Sequence, residues 1–547
     1  QIICAECKEV GPNEPLTREK LSPVLAILKA KSTDDGIAKA AAMVEFNGLG
    51  HSAAIHTEDH EISKKFGHAC KAIRIIENAP STFGGIGSVY NAFIPSLTLG
   101  CGSYGHNSVS NNVSAVNLIN IKRIGRRNNN MQWVKLPPKV YFEKNSIRYL
   151  RDMKHMEKAM IVTDRSMVNL GYVEKIEDVI RRRRNHVDIE LFFDVEPDPS
   201  IDTVREGVEL MRKFEPDCII ALGGGSSMDA AKVMWLMYEN PEVNFDDIKQ
   251  KFMDIRKRAF KFPELGKKAK MICIPTTSGT GSEVTPFAVI TDQNTGVKYP
   301  LADYQLMPKM AIVDANNMMS GPKGLTAASG IDAVSHALEA YASMMATDFT
   351  DGLALRSLKL IFEYLPACYD NGMNEPVARE KVAHAATMAG MAFANAFLGV
   401  CHSMAHKLGA FHHVPHGIAN ALMLEQVIRF NSAEVPAKMG TFPQYDHPHT
   451  LARYAEVARY LGLGGKNDTE SVENLIKAVN DLKARVGIKN SIKDYVPDEE
   501  DFLNRLDAMT EQAFDDQCTG ANPRYPLFKE IKQMYLNAYY GNNSETV

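Results

Sequence analysis

Short apolar runs alternate with segments of helical spacing between residues 136 and 316. The runs that we interpret as strands are KAMIVTD (158–164), IELFFDV (189–195), DCIIAL (217–222), MICIPTT (271–277) and MAIVDA (310–315). Between them, apolar residues recur at helical spacing, as over 166–179 and 203–214. Apolar strands separated by amphipathic helices are typical of a parallel, doubly wound sheet, so this part is predicted to be an α/β domain.

The pattern changes on both sides of this domain. After residue 316 the strand signals end and helical periodicity takes over, which predicts an all-helical domain over 317–547. Towards the N-terminus, 13–27 and 34–47 have the patterns of a strand and a helix, whereas 75–108 is rich in Gly, Ser and Asn and should be dominated by loops. Residues 113–135 are basic and then rich in Asn, and we predict that they link two domains.

Composition narrows the class of protein. The 547 residues include 62 Lys and Arg against 66 Asp and Glu, and the resulting charge of −4 does not favour nucleic acid as a partner. The longest apolar stretch, Met388–Cys401, has 14 residues, whereas a membrane-spanning helix needs about 20. Nine scattered cysteines do not make a disulfide framework, and Cys4 and Cys7 have no second pair at zinc-finger spacing. We therefore expect a cytoplasmic protein with no nucleic-acid or membrane partner.

Two loops of the α/β domain have the composition of a nucleotide site. GGGSS (223–227) lies between a predicted strand and a helix that should begin near Met228. Backbone amides in such a loop, together with the partial positive charge of a helix N-terminus, can bind a diphosphate; a tight turn that needs positive φ is the alternative. The second loop, Thr276–Glu283, also follows a strand and offers hydroxyl groups, or forms turns with them. Together the loops favour a nucleotide at the carboxyl edge of the sheet.

Asp164 ends the first predicted strand of the same domain. A carboxylate there can accept both hydroxyls of an adenosine ribose and repels a 2′-phosphate, which favours NAD(H) over its phosphorylated relative. The competing interpretation is that Asp164 only caps the helix that follows.

Asp and His residues recur at helical spacing in the predicted helical domain. Asp332 and His336 are four residues apart, as are His402 and His406, so each pair projects from one face of a helix. His416 lies 14 residues after His402. A lone His on an apolar helix is usually a core residue, but Asp with three imidazoles and no sulfur is a set that suits Fe²⁺, Mn²⁺ or Zn²⁺.

Several segments together resemble the iron-dependent (group III) alcohol dehydrogenases. The matching motifs are GGGSSMDAAK, TTSGTGSEVTPFAVITD, GIDAVSHALEAY, GVCHSMAHKLGAFHHVPHG and CTGANPRYP. The resemblance implies an NAD-binding α/β domain over 136–316 and a helical metal-binding domain over 317–547, with the active site in the cleft between them.

The resemblance also implies roles for individual residues. The implied ligands of Fe²⁺, or of Zn²⁺, are Asp332, His336, His402 and His416. His406 would not bind the metal but would lie beside the nicotinamide as a proton-relay residue. The residues implied to line the NAD(H) site are Asp164, Gly223, Gly224, Gly225, Ser226, Thr276, Thr277 and Lys298.

Two phenylalanines are candidates for the substrate pocket. Phe287 follows the second loop, at the sheet edge where the nicotinamide should lie, and Phe393 lies nine residues before His402, on what we expect to be the same helical region. Two rings and a metal would enclose an aldehyde of two to four carbons and disfavour bulky or polar ones. The alternative for each ring is an ordinary core position.

The N-terminal part resembles the C-terminal part of an aldehyde dehydrogenase domain. Glu19, in EKLSPV, matches the family's segment whose Glu contacts the nicotinamide ribose. This α/β fragment is assigned to residues 1–112, and the chain is expected to begin inside a divided domain. The family's nucleophilic Cys would lie upstream, so we do not expect acyl-CoA reduction here.

The whole chain thus resembles the bifunctional aldehyde-alcohol dehydrogenases. This implies reduction of acetaldehyde or another short-chain aldehyde with NADH, its reversal, and a homo-oligomer, since the family forms dimers and filaments. A polyol dehydrogenase of the glycerol type and a mainly structural, filament-forming fragment are the alternatives. Steady-state rates with ethanol, butanol and glycerol distinguish a polyol dehydrogenase from an alcohol dehydrogenase. Sizing by light scattering tests whether the chain assembles into filaments.

Overall fold

Successive residues of the central strands point to opposite faces of one sheet, and both faces are buried. In the strand Cys218–Gly223, Cys218 and Ile220 pack into one apolar cluster, while Ile219 and Ala221 pack into another. A sheet that is apolar on both faces has to be covered by helices on both sides. The computed structural model describes the chain except for residues 1, 21, 87–90, 92, 94–103, 105–121, 127–132, 251–254, 258–259, 294–296, 434–448 and 542–547.

The chain divides into two compact units, Gln1–Gln132 with Arg256–Ala259 and Trp133–Ile255 with Phe260–Val547. The strands of the first unit are β1 (Ile3–Cys7), β2 (Val24–Leu28), β3 (Gly50–Ile55), β4 (Ala72–Glu77) and β5 (Arg123–Arg126). Its helices are α1 (Thr33–Asn47), α2 (His60–Ala69) and α3 (Ser81–Ile86). Strands β1 and β2 pair with each other in parallel, and β3, β4 and β5 form a parallel sheet. Apolar residues of α1, α2 and β4 form the small core of this unit.

The second unit begins with an α/β region. Its strands are β6 (Val140–Tyr141), β7 (Lys158–Val162), β8 (Asp188–Phe192), β9 (Cys218–Gly223), β10 (Lys270–Pro275), β11 (Phe287–Asp292), β12 (Val297–Ala302) and β13 (Met310–Ile312). Its helices are α4 (Tyr149–Asp152), α5 (Arg165–Asn169), α6 (Tyr172–Arg181), α7 (Ile201–Phe214), α8 (Gly225–Glu239) and α9 (Phe245–Ile248).

Six of these strands form one parallel sheet in the order β6-β13-β10-β9-β7-β8. From β7 the chain moves to one edge, β8, and then returns across β9, β10 and β13 towards the other edge. The strand order therefore reverses between β7 and β9, which is where ligands of doubly wound sheets bind. The predicted parallel sheet is confirmed.

The rest of the second unit is helical. The helices are α10 (Lys323–Ala342), α11 (Asp348–Asn371), α12 (Pro376–Ala396), α13 (Val400–His412), α14 (His416–Ser432), α15 (Thr450–Tyr460), α16 (Asp468–Arg485), α17 (Glu499–Phe514) and α18 (Phe528–Tyr540). They enclose one large apolar core, as the helical periodicity predicted. Within the described residues no single helix meets the length and apolarity of a membrane span; α12 and α13 meet them only as a pair bent by 109°.

The two units divide after Gln132, inside the range 113–135 that was predicted to link two domains, and β5 lies in the same range. The basic residue Lys122 donates its ammonium hydrogens to carbonyls at the C-terminal end of α2, where a cation is favoured. One local prediction is wrong, and one element was not predicted. The helix expected over 166–179 is divided into α5 and α6 at Gly171, whose φ of 74° favours glycine. Finally, the sequence reasoning missed the antiparallel hairpin β11–β12.

Candidate active site

The predicted coenzyme residues gather at the carboxyl edge of the parallel sheet. Asp164 follows β7, the glycine run ends β9 and opens α8, and Thr276 and Thr277 follow β10. A cavity of about 830 Å³ is lined there by residues of all three loops. Those predicted from the sequence are Asp164, Gly224, Gly225, Ser226, Thr276 and Thr277.

Two of the three glycines in the run are packed closely against neighbouring side chains. Gly223 has φ 142°, and a Cβ there would lie 2.7 Å from the hydroxyl oxygen of Ser227. A Cβ on Gly225 would lie 3.1 Å from the methyl group of Thr280 in the second loop. Helix α8 begins at Gly225, three residues before the predicted start near Met228, so the last glycine belongs to the helix. Its first amides therefore face the cavity with the positive end of the helix dipole.

Asp164 caps the helix that follows it, and it also lines the cavity at the sheet edge. Its Oδ1 accepts the backbone N–H groups of Ser166 at 2.8 Å and Met167 at 3.3 Å, so the side chain caps α5. Its Oδ2 accepts the hydroxyl of Ser227 at 3.4 Å, in the glycine-run loop, and the residue lines the cavity. The cap therefore leaves one carboxylate oxygen directed towards the candidate nucleotide site.

The Asp and His residues singled out in the helical region converge on one point. One ligand atom from each of Asp332, His336, His402 and His416 lies within 4.8 Å of the others. The Nε2 atoms of His336, His402 and His416 lie 3.9, 3.8 and 3.6 Å from a carboxylate oxygen of Asp332. Helix α10 supplies the first two residues, α13 supplies His402 and the first turn of α14 supplies His416.

The surroundings keep these side chains in the form that binds metal. Burial lowers the pKa of His336 to about 4 and that of His402 to about 3, although the carboxylate of Asp332 opposes both shifts. Burial works against the ionised form of Asp332 as well, but the nearby imidazoles hold the pKa of this carboxyl below its ordinary value. Neutral imidazole and ionised carboxylate are the ligating forms. The His416 side chain is 43% exposed, whereas the other three are almost fully buried, so the open side of the cluster lies next to His416.

Glu339, which the sequence reasoning missed, places His402. This buried carboxylate accepts Nδ1–H of His402 and the backbone N–H groups of Gly399 at 3.1 Å and Cys401 at 2.8 Å. The bond to Nδ1 leaves Nε2 as the unprotonated nitrogen that faces the cluster. Glu339 lies seven residues after Asp332, two turns along the same face of α10, and that spacing is the signal that could have revealed it.

Phe393 is not on the same helix as His402, contrary to the prediction. Helix α12 ends at Ala396, Phe397 adopts φ 66°, and α13 starts at Val400 in a direction bent by 109°. The bonds from the first amides of α13 to Glu339 stabilise this break. The Phe393 ring nevertheless reaches the site, because it stacks on the imidazole of His336 with centroids 4.4 Å apart.

Phe287 faces Phe393 across the same cavity. Their rings are stacked, with centroids 5.8 Å apart, and both line a cavity of about 430 Å³ that also contains the Asp-His cluster. Lys232, fully buried in α8, holds this wall in place: its ammonium donates to the carbonyls of Thr285 and Phe287 and to the hydroxyl of Ser282. The two phenylalanines therefore line the cavity and pack against the apolar core at the same time.

Lys298 and His406 lie in this second cavity, not in the first. Lys298 forms an ion pair with Asp198 at 2.7 Å. His406 has its Nδ1 3.1 Å from Asp516, and its ring stacks on that of His416 with centroids 5.5 Å apart. The two cavities have Gly225 and Ser226 in common, so they adjoin at the start of α8.

Two family models match the second unit. Residues 137–315 match the iron-containing alcohol dehydrogenase model, and residues 326–539 match the model of the C-terminal part of the Fe-containing alcohol dehydrogenase family. The matched ranges contain the parallel sheet and the helical core described above.

Individual proteins agree with the family models. The chain is 58% identical over 540 residues to an aldehyde-alcohol dehydrogenase of Streptococcus pneumoniae, which covers 99% of this chain but only 61% of that protein. It is 43% identical to the NADPH-dependent butanol dehydrogenase of Clostridium saccharobutylicum, over 74% of this chain and 97% of that one. The sulfoacetaldehyde reductase of Bifidobacterium kashiwanohense, solved in complex with NAD⁺, aligns with a TM-score of 0.63 and 27% identity, over 76% of this chain and 100% of that one. The chain therefore spans about three fifths of the length of the streptococcal relative and belongs to the iron-containing alcohol dehydrogenase family.

Proposed function

We propose that this chain is a metal-dependent alcohol dehydrogenase that interconverts a short-chain aldehyde and its alcohol with NAD(H). The observation that carries the proposal is that the Asp-His cluster opens into a cavity sharing Gly225 and Ser226 with the cavity at the sheet edge. A metal centre and a dinucleotide site are thus adjacent, as hydride transfer to a polarised carbonyl requires.

The donor set fits a divalent metal ion such as Fe²⁺ or Zn²⁺. Asp332, His336, His402 and His416 would hold it, because they offer one carboxylate and three imidazoles and no sulfur. When bound, the metal supplies Lewis-acid polarisation of the carbonyl oxygen, and the coenzyme supplies or accepts the hydride. The exposed side of His416 is where the substrate oxygen would enter.

The sheet edge fits a dinucleotide. The first amides of α8 would bind the diphosphate, and Oδ2 of Asp164, the oxygen that does not cap α5, would accept the ribose hydroxyls. The clostridial relative is named for NADPH, so coenzyme choice differs among relatives, and Asp164 is the feature that supports NAD(H) here.

His406 would exchange the proton that each turnover adds to or removes from the substrate oxygen. Its Nδ1 lies 3.1 Å from the carboxylate of Asp516, which also pairs with Lys407 at 2.9 Å. A carboxylate at Nδ1 leaves Nε2 as the nitrogen that accepts and returns a proton. The walls of Phe287 and Phe393 keep water away from the reacting atoms and limit the length of the substrate.

The proposal extends to the first unit and to the location of the protein. We assign the first unit to an aldehyde dehydrogenase-type domain on the strength of the similarity to aldehyde-alcohol dehydrogenases, which covers 99% of this chain. Glu19 lies exposed, shortly before β2. The eight cysteines that the structure describes are free thiols, which supports a reducing, cytoplasmic location.

Metal analysis and steady-state kinetics test the proposal together. Protein purified without oxygen should contain about one Fe²⁺ or Zn²⁺ per chain and should reduce acetaldehyde and butyraldehyde with NADH. Glyceraldehyde, and glycerol in the reverse direction, should be poor substrates because the wall between the metal and the sheet is aromatic. Metal-free protein with full activity, or a preference for glycerol, would refute the proposal.

A further inference from the structure

Asp229, in α8, carries a carboxylate beside the junction of the two cavities, and no role described above uses it. It lies four residues after Gly225 and three after Ser226, so it is on the face of α8 that presents these two residues. Gly225 and Ser226 line both cavities, whereas Asp229 lines only the second, which contains the Asp-His cluster. The carboxylate is therefore just inside the second cavity, next to the point where the first adjoins it.

The contacts of Asp229 fix its carboxylate as a hydrogen-bond acceptor. The ammonium group of Lys232 can only donate, and it donates to Oγ of Ser282 at 2.8 Å. The hydroxyl hydrogen of Ser282 is thus directed to Oδ1 of Asp229, which accepts it at 2.7 Å. Oδ2 accepts the backbone N–H of Val289, in β11, at 2.9 Å. Both oxygens are held by donors that are themselves anchored in the α/β region.

The carboxylate has acceptor capacity left for a ligand. Two carboxylate oxygens offer about four lone-pair sites, and the contacts within the described part of the chain are the two bonds from Ser282 and Val289. Hydride transfer requires the nicotinamide of the coenzyme to lie in the second cavity, beyond the junction with the first. The carboxamide on that ring has an NH₂ group, which is the type of donor that a carboxylate at this place would accept.

We infer that Asp229 accepts a hydrogen bond from the carboxamide NH₂ of the nicotinamide and thereby orients the ring in the second cavity. The inference rests on the coenzyme site of the proposed function. Because the carboxamide lies at one edge of the ring, a bond to it restricts rotation of the ring and determines which face is turned towards the Asp-His cluster. Such restriction of a reacting group lowers the entropic part of the barrier.

The test compares the Kd of NAD⁺ with that of its 3-acetylpyridine analogue, in which a methyl group replaces the NH₂. Both are measured by titration calorimetry on the full chain without substrate, so that no turnover enters the result. The wild type should bind the analogue at least about tenfold more weakly, because a hydrogen bond to a charged acceptor is lost. Asp229→Ala should bind the two coenzymes with Kd values within about twofold of each other.

Asp229→Asn keeps the size of the side chain and decides the question if the Ala variant folds poorly. A neutral hydrogen bond is about half as strong as one to a charged group, so the ratio of the two Kd values should fall to about threefold. Circular dichroism and Tm report on folding of both variants.

Glu283→Gln is the matched control. Burial raises the pKa of Glu283 as it raises that of Asp229, and the charge of Lys232 opposes both shifts. Glu283, however, lines neither cavity, and its Oε1 accepts the hydroxyl of Thr387 at 2.7 Å. Removing this second buried charge should leave the ratio of the Kd values for NAD⁺ and the analogue unchanged.

Two results would overturn the inference. If the wild type binds NAD⁺ and the analogue equally, or if both Asp229 variants keep the wild-type ratio, the carboxylate does not contact the carboxamide and only holds β11 in place. If the wild type binds neither coenzyme, the coenzyme site of the proposed function is wrong and the inference is wrong with it.

Discussion

Substitutions of Asp164 should separate its effect on coenzyme preference from its effect on the stability of α5, because its two carboxylate oxygens have different contacts. Oδ1 caps α5, and Oδ2 faces the glycine run. Asn is as good a helix cap as Asp but has no charge. Asp164→Asn should therefore reduce the discrimination against NADPH and leave the free energy of unfolding within about 0.5 kcal/mol of the wild type.

The size of the discrimination follows from Coulomb's law. A 2′-phosphate carries a charge of about −2, and at a separation of about 5 Å in water each pair of unit charges contributes about 0.8 kcal/mol. The repulsion is then about 1.7 kcal/mol, and a tenfold ratio corresponds to about 1.4 kcal/mol. The ribose hydroxyls of NADH add hydrogen bonds to the carboxylate, worth about 1.5–3 kcal/mol. We expect the wild type to prefer NADH by well over tenfold in kcat/KM, and the Asn variant to narrow that ratio at least tenfold.

Asp164→Ala distinguishes the two roles. It loses both the charge and the cap, so it should match the Asn variant in coenzyme ratio and lose a further 1 kcal/mol or so in urea unfolding. Aldehyde reduction with NADH and with NADPH, measured at fixed ionic strength, gives the ratio. If the ratio of kcat/KM with NADH to that with NADPH is unchanged in both variants, and only the Ala variant is destabilised, Asp164 acts as a helix cap alone.

Three further predictions concern the second cavity. His336→Ala should lose both the bound metal and ethanol oxidation, and metal analysis beside NADH formation checks this; full activity without metal would contradict it. Glu339→Gln should weaken Zn²⁺ binding about 10–100-fold. The amide oxygen would accept the backbone N–H groups of α13, so the amide NH₂ would face Nδ1 of His402 and favour the tautomer in which Nε2 carries the proton. Wild-type affinity in chelator competition would refute this role of Glu339. Phe287→Ala should raise kcat/KM for longer aldehydes relative to acetaldehyde, and the change in discrimination should correspond to about 1–3 kcal/mol. Circular dichroism is the control for folding. If the dependence of kcat/KM on aldehyde length is unchanged, the ring belongs to the core alone.

The sequence alone determines the features that depend on local periodicity. Alternating apolar residues specify strands such as β9, whose two sides pack into different clusters. The four-residue spacing of Asp332 and His336 places both side chains on one face of α10 wherever that helix lies. The glycine run is apparent in the same way, because a sharp turn between a strand and a helix favours residues without side chains. These features need no knowledge of distant parts of the chain.

Only the tertiary structure decides which distant segments meet. Nothing in the local pattern shows that the chain turns by 109° between α12 and α13. The turn is stabilised by Glu339 of α10, whose carboxylate accepts backbone N–H groups at the start of α13. Glu339 looks like an ordinary polar residue in a helix until α13 packs beside α10 and brings the Nδ1–H of His402 to its carboxylate. A buried polar group acquires its role from partners that are far away in sequence, and hydrophobic packing of whole helices is what brings those partners together.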